Sequence, residues 1–377
     1  MSNMLLSTSN NYHLYIGFPF CKTKCSFCHY VDNIKFGKTA IDESYMNLLL
    51  KQLKEILDLN KHNNLQSVYF GGGTPSLLSF SQLNKIKNLI KRYSNPIEVT
   101  IEIYPSNWNI SYLELEFFTR YSIGVQSINQ DILAKFNRKD YFWKDILKII
   151  DDIQQYNKGL HINLDFIFDK EINVREIKEI NNVIVNSIVF YPNTKGRGIE
   201  RLNNVYKTLN IICKNLTNYH NLYKSKHIFI NKNQKVFSLY AQNEYEIFDD
   251  IIGIGHNSIS SIGNKSFLSL YNIEENKYLY KQRHSKRYLI SLIESSTTAM
   301  KLENILKIDA EFLNFAEKYQ NIYFIPISNY IEFYEFLLKK YSEFEAETFL
   351  SVINYGDKLL HLNKTYYIYT THNDNLK

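Results

Sequence analysis

Cysteine is scarce in this chain of 377 residues, which contains only four. Three of them, Cys21, Cys25 and Cys28, fall within eight residues, whereas a secreted disulfide framework spreads an even number along a short chain. A disulfide-stapled scaffold is therefore excluded. The hydrophobic fraction of 45% and the charged fraction of 22% are ordinary for globular proteins, which also excludes a disordered or collagen-like chain.

Long apolar runs and a strong excess of one charge are also missing. Nowhere do about 18 uncharged apolar residues follow one another, so we expect no transmembrane helix. Residues 1–12 lack both a basic start and a long apolar run, so we expect no signal peptide and a cytoplasmic protein. The net charge of +6 is too dilute to indicate nucleic-acid binding, and it fits an anionic small molecule or an acidic redox partner.

Strand-like and helix-like segments alternate through the first half of the chain. Six apolar or β-branched runs predict strands, at 13–19, 67–70, 98–104, 121–126, 161–168 and 186–191. Helical spacing of apolar residues lies between them, for example in a helix that Ser79 or Ser81 would cap. Six βα units over residues 1–198 predict an α/β fold, a partial (β/α)6 TIM-like barrel, with its chemistry at the carboxyl ends of the strands.

The alternating pattern weakens beyond residue 198. Residues 199–284 contain a predicted helix at 200–216 and a Gly/Ser-rich turn region at 249–264, and we expect them to complete the barrel. Residues 285–377 carry helical segments and a last strand-like run at 366–370. They predict a smaller C-terminal α/β cap domain.

The spacing Cys21-x3-Cys25-x2-Cys28 directly follows the first predicted strand. Three thiolates on one loop can hold three irons of a [4Fe–4S] cluster and leave the fourth iron open. A structural cluster or a zinc site would normally close with a fourth ligand, yet Cys213 lies on a predicted outer helix, and only His29 is near enough to complete a zinc site. Because the loop is otherwise polar, an incomplete cluster is favoured over unliganded core cysteines.

The segment from Tyr15 to Cys28 resembles the signature of the radical S-adenosylmethionine (SAM) superfamily. It is most similar to the branch of oxygen-independent coproporphyrinogen III oxidase. Further segments agree with that branch in the same order, at 69–76, 100–105, 120–126, 163–168 and 252–264. The likeness spans most of residues 12–290.

The resemblance implies a cluster held by Cys21, Cys25 and Cys28, with SAM bound to the open iron beside Tyr15. It also implies two SAM sites. The first would lie near Tyr15, Gly72, Glu102 and Ile259. The second would lie near Phe27, Gly73, Thr74, Gln126, Arg138 and Asp165. Because all of these residue types are present here, we expect two SAM molecules to bind.

Several of these positions also have a physical interpretation of their own. Residues 71–73 are three glycines after a predicted strand, and they indicate either close approach to a ligand or a tight turn before a proline. Glu102 lies within a strand between two isoleucines, where a carboxylate needs a hydrogen-bond donor. Gln126 and Asp165 near strand ends can bind a polar ligand, whereas Arg138 after a short helix can equally be a solvated charge.

The chain departs from the family pattern around the second cofactor and the substrate. Gly17 replaces a histidine of the family, Tyr30 replaces an additional cysteine, and residues 169–171 replace a Gly-Leu-Pro sequence. These changes weaken the case for decarboxylation of a porphyrinogen and leave radical generation intact.

Two further sites have open interpretations. The loop that contains Lys195 and Arg197 follows the sixth strand, and it either binds a carboxylate or phosphate or is a solvated rim. His256 occupies a position where the family has a small or aliphatic residue. It either stabilises the turn or donates a proton to the substrate.

The resemblance implies reductive cleavage of SAM to a 5′-deoxyadenosyl radical. The leading hypothesis is a two-SAM C-methyltransferase or cyclopropanase that acts on an sp2 carbon of a small-molecule natural product. The alternatives are a coproporphyrinogen III dehydrogenase and a haem chaperone without turnover. We expect a monomer that receives electrons from a flavodoxin- or ferredoxin-type donor and binds neither nucleic acid nor membrane.

Overall fold

The structure is a computed structural model. It describes residues 5–28, 34–168, 172–193, 199–221, 228–233, 238–243, 249–263, 265–272, 274–282, 299–301, 310–319, 322–324, 329, 332 and 336. The chain divides into two compact units, Met1–Phe166 with Val236–Arg287 and Ile167–Lys235 with Tyr288–Lys377. The boundaries at 198 and 284 stay a prediction.

The described elements alternate between strand and helix in the first half of the chain. The strands are β1 (Asn11–Phe18), β2 (Asn64–Gly72), β3 (Glu98–Ile103), β4 (Arg120–Gln126), β5 (His161–Phe168), β6 (Ser187–Pro192), β7 (Tyr219–Asn221), β8 (Ile228–Asn231), β9 (Asp250–Ile254), β10 (Ile259–Ile262), β11 (Lys265–Asn272), β12 (Lys277–Gln282), β13 (Ala299–Lys301), β14 (Glu317–Tyr319) and β15 (Ile322–Phe324). The α-helices are α1 (Glu43–Leu59), α2 (Phe80–Lys91), α3 (Ser111–Glu114), α4 (Gln130–Lys135), α5 (Trp143–Tyr156), α6 (Val174–Asn181), α7 (Ile199–Asn215) and α8 (Leu239–Gln242). Short 3-10 helices lie at Pro75–Leu77, Pro105–Asn107 and Ala310–Asn314.

The first unit is built around a sheet with β1 near its centre. β1 lies between β2 and β9 and is parallel to both. On one side β2, β3, β4 and β5 follow as parallel neighbours, and on the other side β10, β11 and β12 extend the sheet in antiparallel fashion. The carboxyl ends of the parallel strands therefore meet at one edge, where the loops that follow them come together.

The helices of this unit form because their apolar residues share one face. In α1, Met46, Leu49, Leu53 and Ile56 recur every three or four residues and are buried. α2 begins with a capping box, in which the Ser79 hydroxyl accepts the backbone N–H three residues later. The Ser79 prediction is confirmed. The Ser81 prediction is wrong, because that residue lies inside the helix.

The six predicted strands are confirmed to within a few residues by β1 to β6. The prediction of a turn region over residues 249–264 is wrong, because the segment contains the strands β9 and β10, with turns at 255–258 and at 263. A strand forms there because its apolar residues are buried between β1 and β10. The Asp250 carboxylate fixes its start, since it accepts hydrogen bonds from Ser7, Thr8 and the Gly263 N–H.

The second unit contains β6, β8 and β7, which pair antiparallel in that order, and the helices α6 and α7. The helix predicted at 200–216 is confirmed as α7. β13, β15 and β14 form a separate three-stranded antiparallel sheet. The run at 366–370 lies outside the described residues, and the α/β cap domain stays a prediction. Within the described part of the chain, no helix combines the length and apolar character needed to cross a membrane.

Candidate active site

The three clustered cysteines lie on the loop that follows β1, at the carboxyl edge of the sheet. Backbone hydrogen bonds fix this loop: the Cys21 N–H donates to the Lys35 carbonyl at 3.0 Å, and the Lys38 N–H donates to the Cys21 carbonyl at 3.1 Å. The Cys28 N–H donates to the Cys25 carbonyl at 3.3 Å. Cys25 is buried, and the other two are half-buried. The loop therefore presents all three thiols within one short, fixed segment.

The surroundings of these thiols suit metal-bound thiolates. The Thr74 hydroxyl lies 3.3 Å from the Cys21 sulfur, and Arg138 Nε donates to the Cys25 sulfur at 3.0 Å. The pKa of Cys21 is raised to about 11, chiefly by burial; the Thr74 hydrogen bond opposes this rise, and the nearby Cys28 and Cys25 contribute to it. The three sulfurs are thus close enough to repel one another as thiolates, and bound metal would remove that penalty.

Three thiols on one loop are the kind of ligand that binds an iron–sulfur cluster. Among the described residues, no group of three His, Cys, Asp or Glu side chains is arranged to hold one metal ion. His29, the alternative zinc ligand, lies outside the described residues. Cys213 lies on α7 in the second unit.

The glycines after β2 allow two loops to pack against each other. Gly72 has a φ of +100°, a conformation that favours glycine. A Cβ on Gly73 would lie 2.5 Å from the Phe20 carbonyl oxygen and 2.6 Å from that of Phe18. Packing against the cysteine loop therefore accounts for Gly73 without a ligand, and its contact with SAM stays a prediction.

Glu102 has the hydrogen-bond donor that its position in the strand requires. The Tyr69 hydroxyl donates to Glu102 Oε1 at 2.9 Å, and the Gly72 backbone also hydrogen-bonds the carboxylate. The pKa of Glu102 is raised to about 8, chiefly by burial; the Tyr69 hydrogen bond opposes this rise, and the nearby Asp165 contributes to it. The ring of Tyr15 stacks on Tyr69 with centroids 5.9 Å apart. The structure thus brings Tyr15, Gly72 and Glu102 together.

Ile259 is the fourth residue predicted at the first SAM site. It lies on β10 and is 42% exposed.

Tyr69 was missed by sequence reasoning. The pairing of β2 with β3 places it beside Glu102, which only the strand register could reveal.

Arg138 is held beside the cysteine loop and is not a solvated charge. Its guanidinium lies 4.3 Å from the ring centroid of Tyr104 and 5.7 Å from that of Phe27, and Nη1 donates to the Gly124 carbonyl at 3.3 Å. Burial lowers the pKa of Arg138, but Cys25 and nearby tyrosines raise it by more, so the pKa lies above its ordinary value. The guanidinium is permanently charged.

Gln126 and Asp165 lie on neighbouring strands near the same edge. Gln126 ends β4, is buried, and has a φ of +65°, a strained conformation for a residue other than glycine. Asp165 accepts hydrogen bonds from Ser122 at 2.7 Å and Asn163 at 2.9 Å, and burial raises its pKa. The residues predicted at the second SAM site therefore form two groups, Gly73 and Thr74 beside Cys21, and Phe27, Arg138, Gln126 and Asp165 around the end of β4.

His256 stabilises the turn between β9 and β10. The His256 Nδ1 accepts a hydrogen bond from the Tyr271 backbone N–H at 3.0 Å. The His256 backbone N–H donates to the Tyr45 hydroxyl at 3.1 Å. Burial lowers the pKa of His256, and Lys35 lowers it further. The imidazole is therefore neutral near pH 7 with its proton on Nε2. A role as proton donor to the substrate stays a prediction.

Two further features belong to the same turn. A Cβ on Gly17 would overlap the Ser258 hydroxyl, so a larger side chain at this position would require Ser258 to move. Gln52 is fully buried on α1; its Oε1 accepts the Gly255 N–H at 2.9 Å, and its Nε2 donates to the Ser269 hydroxyl at 3.0 Å. These contacts tie the turn to α1.

Some positions that the sequence singled out lie outside the described residues: Tyr30, Lys195, Arg197 and 169–171.

Comparison with known proteins agrees with this geometry. Residues 15–186 match the model of the radical SAM superfamily. Heme chaperone HemW of Buchnera aphidicola subsp. Schizaphis graminum is 30% identical over 303 residues, which cover 71% of this chain and 75% of that protein. Oxygen-independent coproporphyrinogen III oxidase of Salmonella typhimurium is 26% identical over 132 residues, which cover 33% of this chain and 29% of that protein.

A solved structure supports the fold. Coproporphyrinogen III oxidase of Escherichia coli superposes with a TM-score of 0.65 and 17% identity, covering 88% of this chain and 90% of that one. At this identity the likeness establishes the shared α/β fold with its parallel sheet, as the six βα units predicted. Together with the cysteine loop and the match to HemW, these findings show that the chain belongs to the radical SAM superfamily, as an enzyme of the branch that contains HemW and oxygen-independent coproporphyrinogen III oxidase.

Proposed function

We propose that the protein binds two SAM molecules and transfers a methyl-derived carbon from one of them to an sp2 carbon of a small molecule. Cys21, Cys25 and Cys28 would hold the cluster. When bound and reduced, the cluster supplies the electron that cleaves the SAM sulfonium to methionine and a 5′-deoxyadenosyl radical. The residues around it bind, orient and shield the reactants.

The group of Glu102, Tyr69 and Tyr15 suits the first SAM. An ammonium beside Glu102 favours the ionised carboxylate, so a proton leaves Glu102 as the ligand binds. The Tyr69 hydroxyl holds one carboxylate oxygen and so fixes the orientation of the group. The stacked Tyr15 ring adds an apolar surface next to it.

The observation that carries the second SAM is the placement of Arg138. A guanidinium held between the Phe27 and Tyr104 rings is partly removed from water, so an anionic partner is favoured there. The planar guanidinium matches a carboxylate such as that of methionine. Gln126 and Asp165 at the adjoining strand ends supply further polar contacts.

Trideuteromethyl-SAM tests this proposal without knowledge of the substrate. The cluster-loaded protein, reduced by dithionite under anaerobic conditions, should give mono-deuterated 5′-deoxyadenosine, because the radical breaks a C–D bond of the second SAM and forms one at C5′. Equilibrium dialysis should count two SAM per wild-type chain and one per Arg138→Gln chain, with Arg92→Gln as an exposed control. Undeuterated 5′-deoxyadenosine together with a count of one would contradict the two-SAM proposal.

A haem chaperone is the second candidate, because the HemW relative matches over 75% of its length. This function predicts that added haem binds tightly, with a shifted Soret band, and that dithionite and SAM yield no 5′-deoxyadenosine.

Coproporphyrinogen III dehydrogenation is favoured by the shorter match to the oxidase. It predicts CO2 release from coproporphyrinogen III and no deuterium transfer.

A further inference from the structure

We propose that Glu98 and Tyr240 are positioning residues, which hold the Tyr69 hydroxyl on the Glu102 carboxylate. Glu98 fixes the short helix α8, α8 carries Tyr240, and the Tyr240 ring packs on Tyr69. The importance of this arrangement for SAM binding rests on the proposed function, because Glu102 is the carboxylate assigned to the first SAM. The contacts themselves are independent of that assignment.

Helix α8 has only four residues, too few to be stable alone, and hydrogen bonds at both ends hold it in place. The buried Glu98 carboxylate, at the start of β3, accepts hydrogen bonds from the Ser238 hydroxyl at 2.8 Å and the Leu239 N–H at 2.7 Å. It also accepts the Tyr240 N–H at 3.2 Å. At the other end, the buried Asn243 side chain accepts a backbone N–H at 2.8 Å. A carboxylate on β3 therefore sets the position of Tyr240.

The Tyr240 ring completes a cluster of three tyrosine rings. Its centroid lies 4.8 Å from that of Tyr69 and 6.3 Å from that of Tyr15. Tyr240 is buried, and the other two rings are half-buried. Since Tyr15 also stacks on Tyr69, the Tyr69 ring is enclosed by two others and has few rotamers available. Its neighbours thus restrict it to the orientation in which its hydroxyl donates to Glu102 at 2.9 Å.

The Tyr69 hydroxyl is one of several groups that determine the charge of Glu102. Burial has the largest effect and raises the pKa of this carboxyl group. The Tyr69 hydroxyl lowers it, Asp165 on β5 raises it, and Arg120 on β4 lowers it. Removal of the Tyr240 ring would release Tyr69 and leave the residues on β4 and β5 unchanged. The pKa of Glu102 should then rise further.

A purely structural role is the alternative to positioning. Tyr240→Ala leaves a cavity and should lower the free energy of unfolding in either case. Only positioning also predicts that the pKa of Glu102 changes, and that this change requires the Tyr69 hydroxyl. The protonation of Glu102 therefore separates the two roles.

The test follows the protonation of Glu102 in the ligand-free full chain. For each variant, urea unfolding between about pH 5 and pH 10 is compared with that of the same variant carrying Glu102→Gln. The pH above which the difference in free energy of unfolding becomes constant marks the pKa of Glu102 in the folded protein. Tyr240→Ala should raise this pH by roughly one unit, the size of effect that a hydrogen bond to a charged group provides. Tyr240→Phe keeps the ring and should retain the wild-type value.

Two further variants complete the test. Glu98→Gln should shift the pKa of Glu102 in the same direction as Tyr240→Ala, because an amide nitrogen cannot accept the N–H groups of α8. Tyr219→Ala is the matched control. It removes a buried tyrosine ring from β7 in the other unit, so it should lower stability and leave the pKa of Glu102 unchanged.

A double-mutant cycle tests the route through Tyr69. When Tyr69→Phe is already present, Tyr240→Ala should produce no further change in the pKa of Glu102, because the hydroxyl through which it acts is missing. An equal shift with and without that hydroxyl would overturn the positioning role. An unchanged pKa in both Tyr240→Ala and Glu98→Gln would overturn it too, and Glu98→Gln decides alone if Tyr240→Ala does not fold.

SAM affinity links the positioning role to the proposed function. Equilibrium dialysis of the cluster-loaded protein at pH 7 should show roughly tenfold weaker SAM binding by Tyr240→Ala, because a smaller fraction of Glu102 is ionised. The Tyr219→Ala control should bind SAM like the wild type. Lack of SAM binding by the wild type, with the pKa shift of Tyr240→Ala intact, would refute the proposed function and leave the positioning role standing.

Discussion

Replacing Glu102 by glutamine tests the electrostatics of the site most directly. The pKa of Glu102 rises from 4.5 to about 8 on folding, chiefly because burial disfavours the charged form. The folded protein therefore binds more protons than the unfolded chain between these pH values, and its stability falls as pH rises through that window. The full shift corresponds to a cost of about 5 kcal/mol above pH 8, an upper limit because solvent still reaches the half-buried side chain.

The stability of the Glu102→Gln variant should not fall as pH rises through this window. Denaturant titrations of the ligand-free protein between pH 5 and pH 9 should show wild-type stability declining relative to Glu102→Gln, with the largest difference above pH 8. Glu114→Gln, a change of an exposed glutamate on α3, should follow the wild type. If the free energies of unfolding of wild type and Glu102→Gln depended on pH in the same way, the assignment of a raised pKa to this carboxyl group would be refuted.

The same pKa predicts proton release when SAM binds. At pH 7 the carboxyl group is mostly protonated in the ligand-free protein, so binding an ammonium to its ionised form should release most of one proton. Calorimetry in buffers of different ionisation enthalpy measures this number. Equal proton release by wild type and Glu102→Gln on SAM binding would show that Glu102 does not contact the SAM ammonium.

Three further changes test the packing of the site. Tyr69→Phe removes the donor to the neighbouring carboxylate, so the pH at which SAM affinity rises should move upward, as dissociation constants across pH will show. Gly73→Ala places a methyl group against the backbone carbonyl oxygens of Phe18 and Phe20, so bound iron after reconstitution should fall well below that of Gly159→Ala, whose methyl group would meet only the exposed Asn157 side chain. Gln52→Leu leaves a buried backbone N–H unsatisfied and should cost about 2–3 kcal/mol in urea unfolding, whereas the exposed change Gln155→Leu should cost little.

The parts of the fold that could be predicted from sequence are those encoded locally. Apolar and β-branched runs predicted β1 to β6, because strands buried on both faces are rich in such residues. The cysteine spacing predicted a metal-binding loop, because its ligands lie within eight residues. β9 was missed because Gly253 within it and Gly255 after it resemble a turn, and only the position of β9 beside β1 makes the segment a strand.

Contacts between distant segments could not be predicted in this way. Arg138 meets Tyr104 across 34 residues, and nothing near either residue in sequence indicates the pairing. The hydrogen bond from Tyr69 to Glu102 depends on how β2 and β3 align. Gln52 similarly reads as an ordinary helix residue, although it links α1 to a turn more than 200 positions later. Register and tertiary packing decide these features.

The first unit is made of two chain segments that are separated in sequence by part of the second unit, and this order affects when its sheet forms during translation. β1 carries the cysteine loop, yet its neighbour β9 ends at residue 254, so about two-thirds of the polypeptide must leave the ribosome before that side of β1 is paired. The intervening residues 167–235 belong to the other unit. A nascent chain shorter than this leaves one edge of β1 unpaired, so the sheet that carries the cysteine loop is completed late in synthesis.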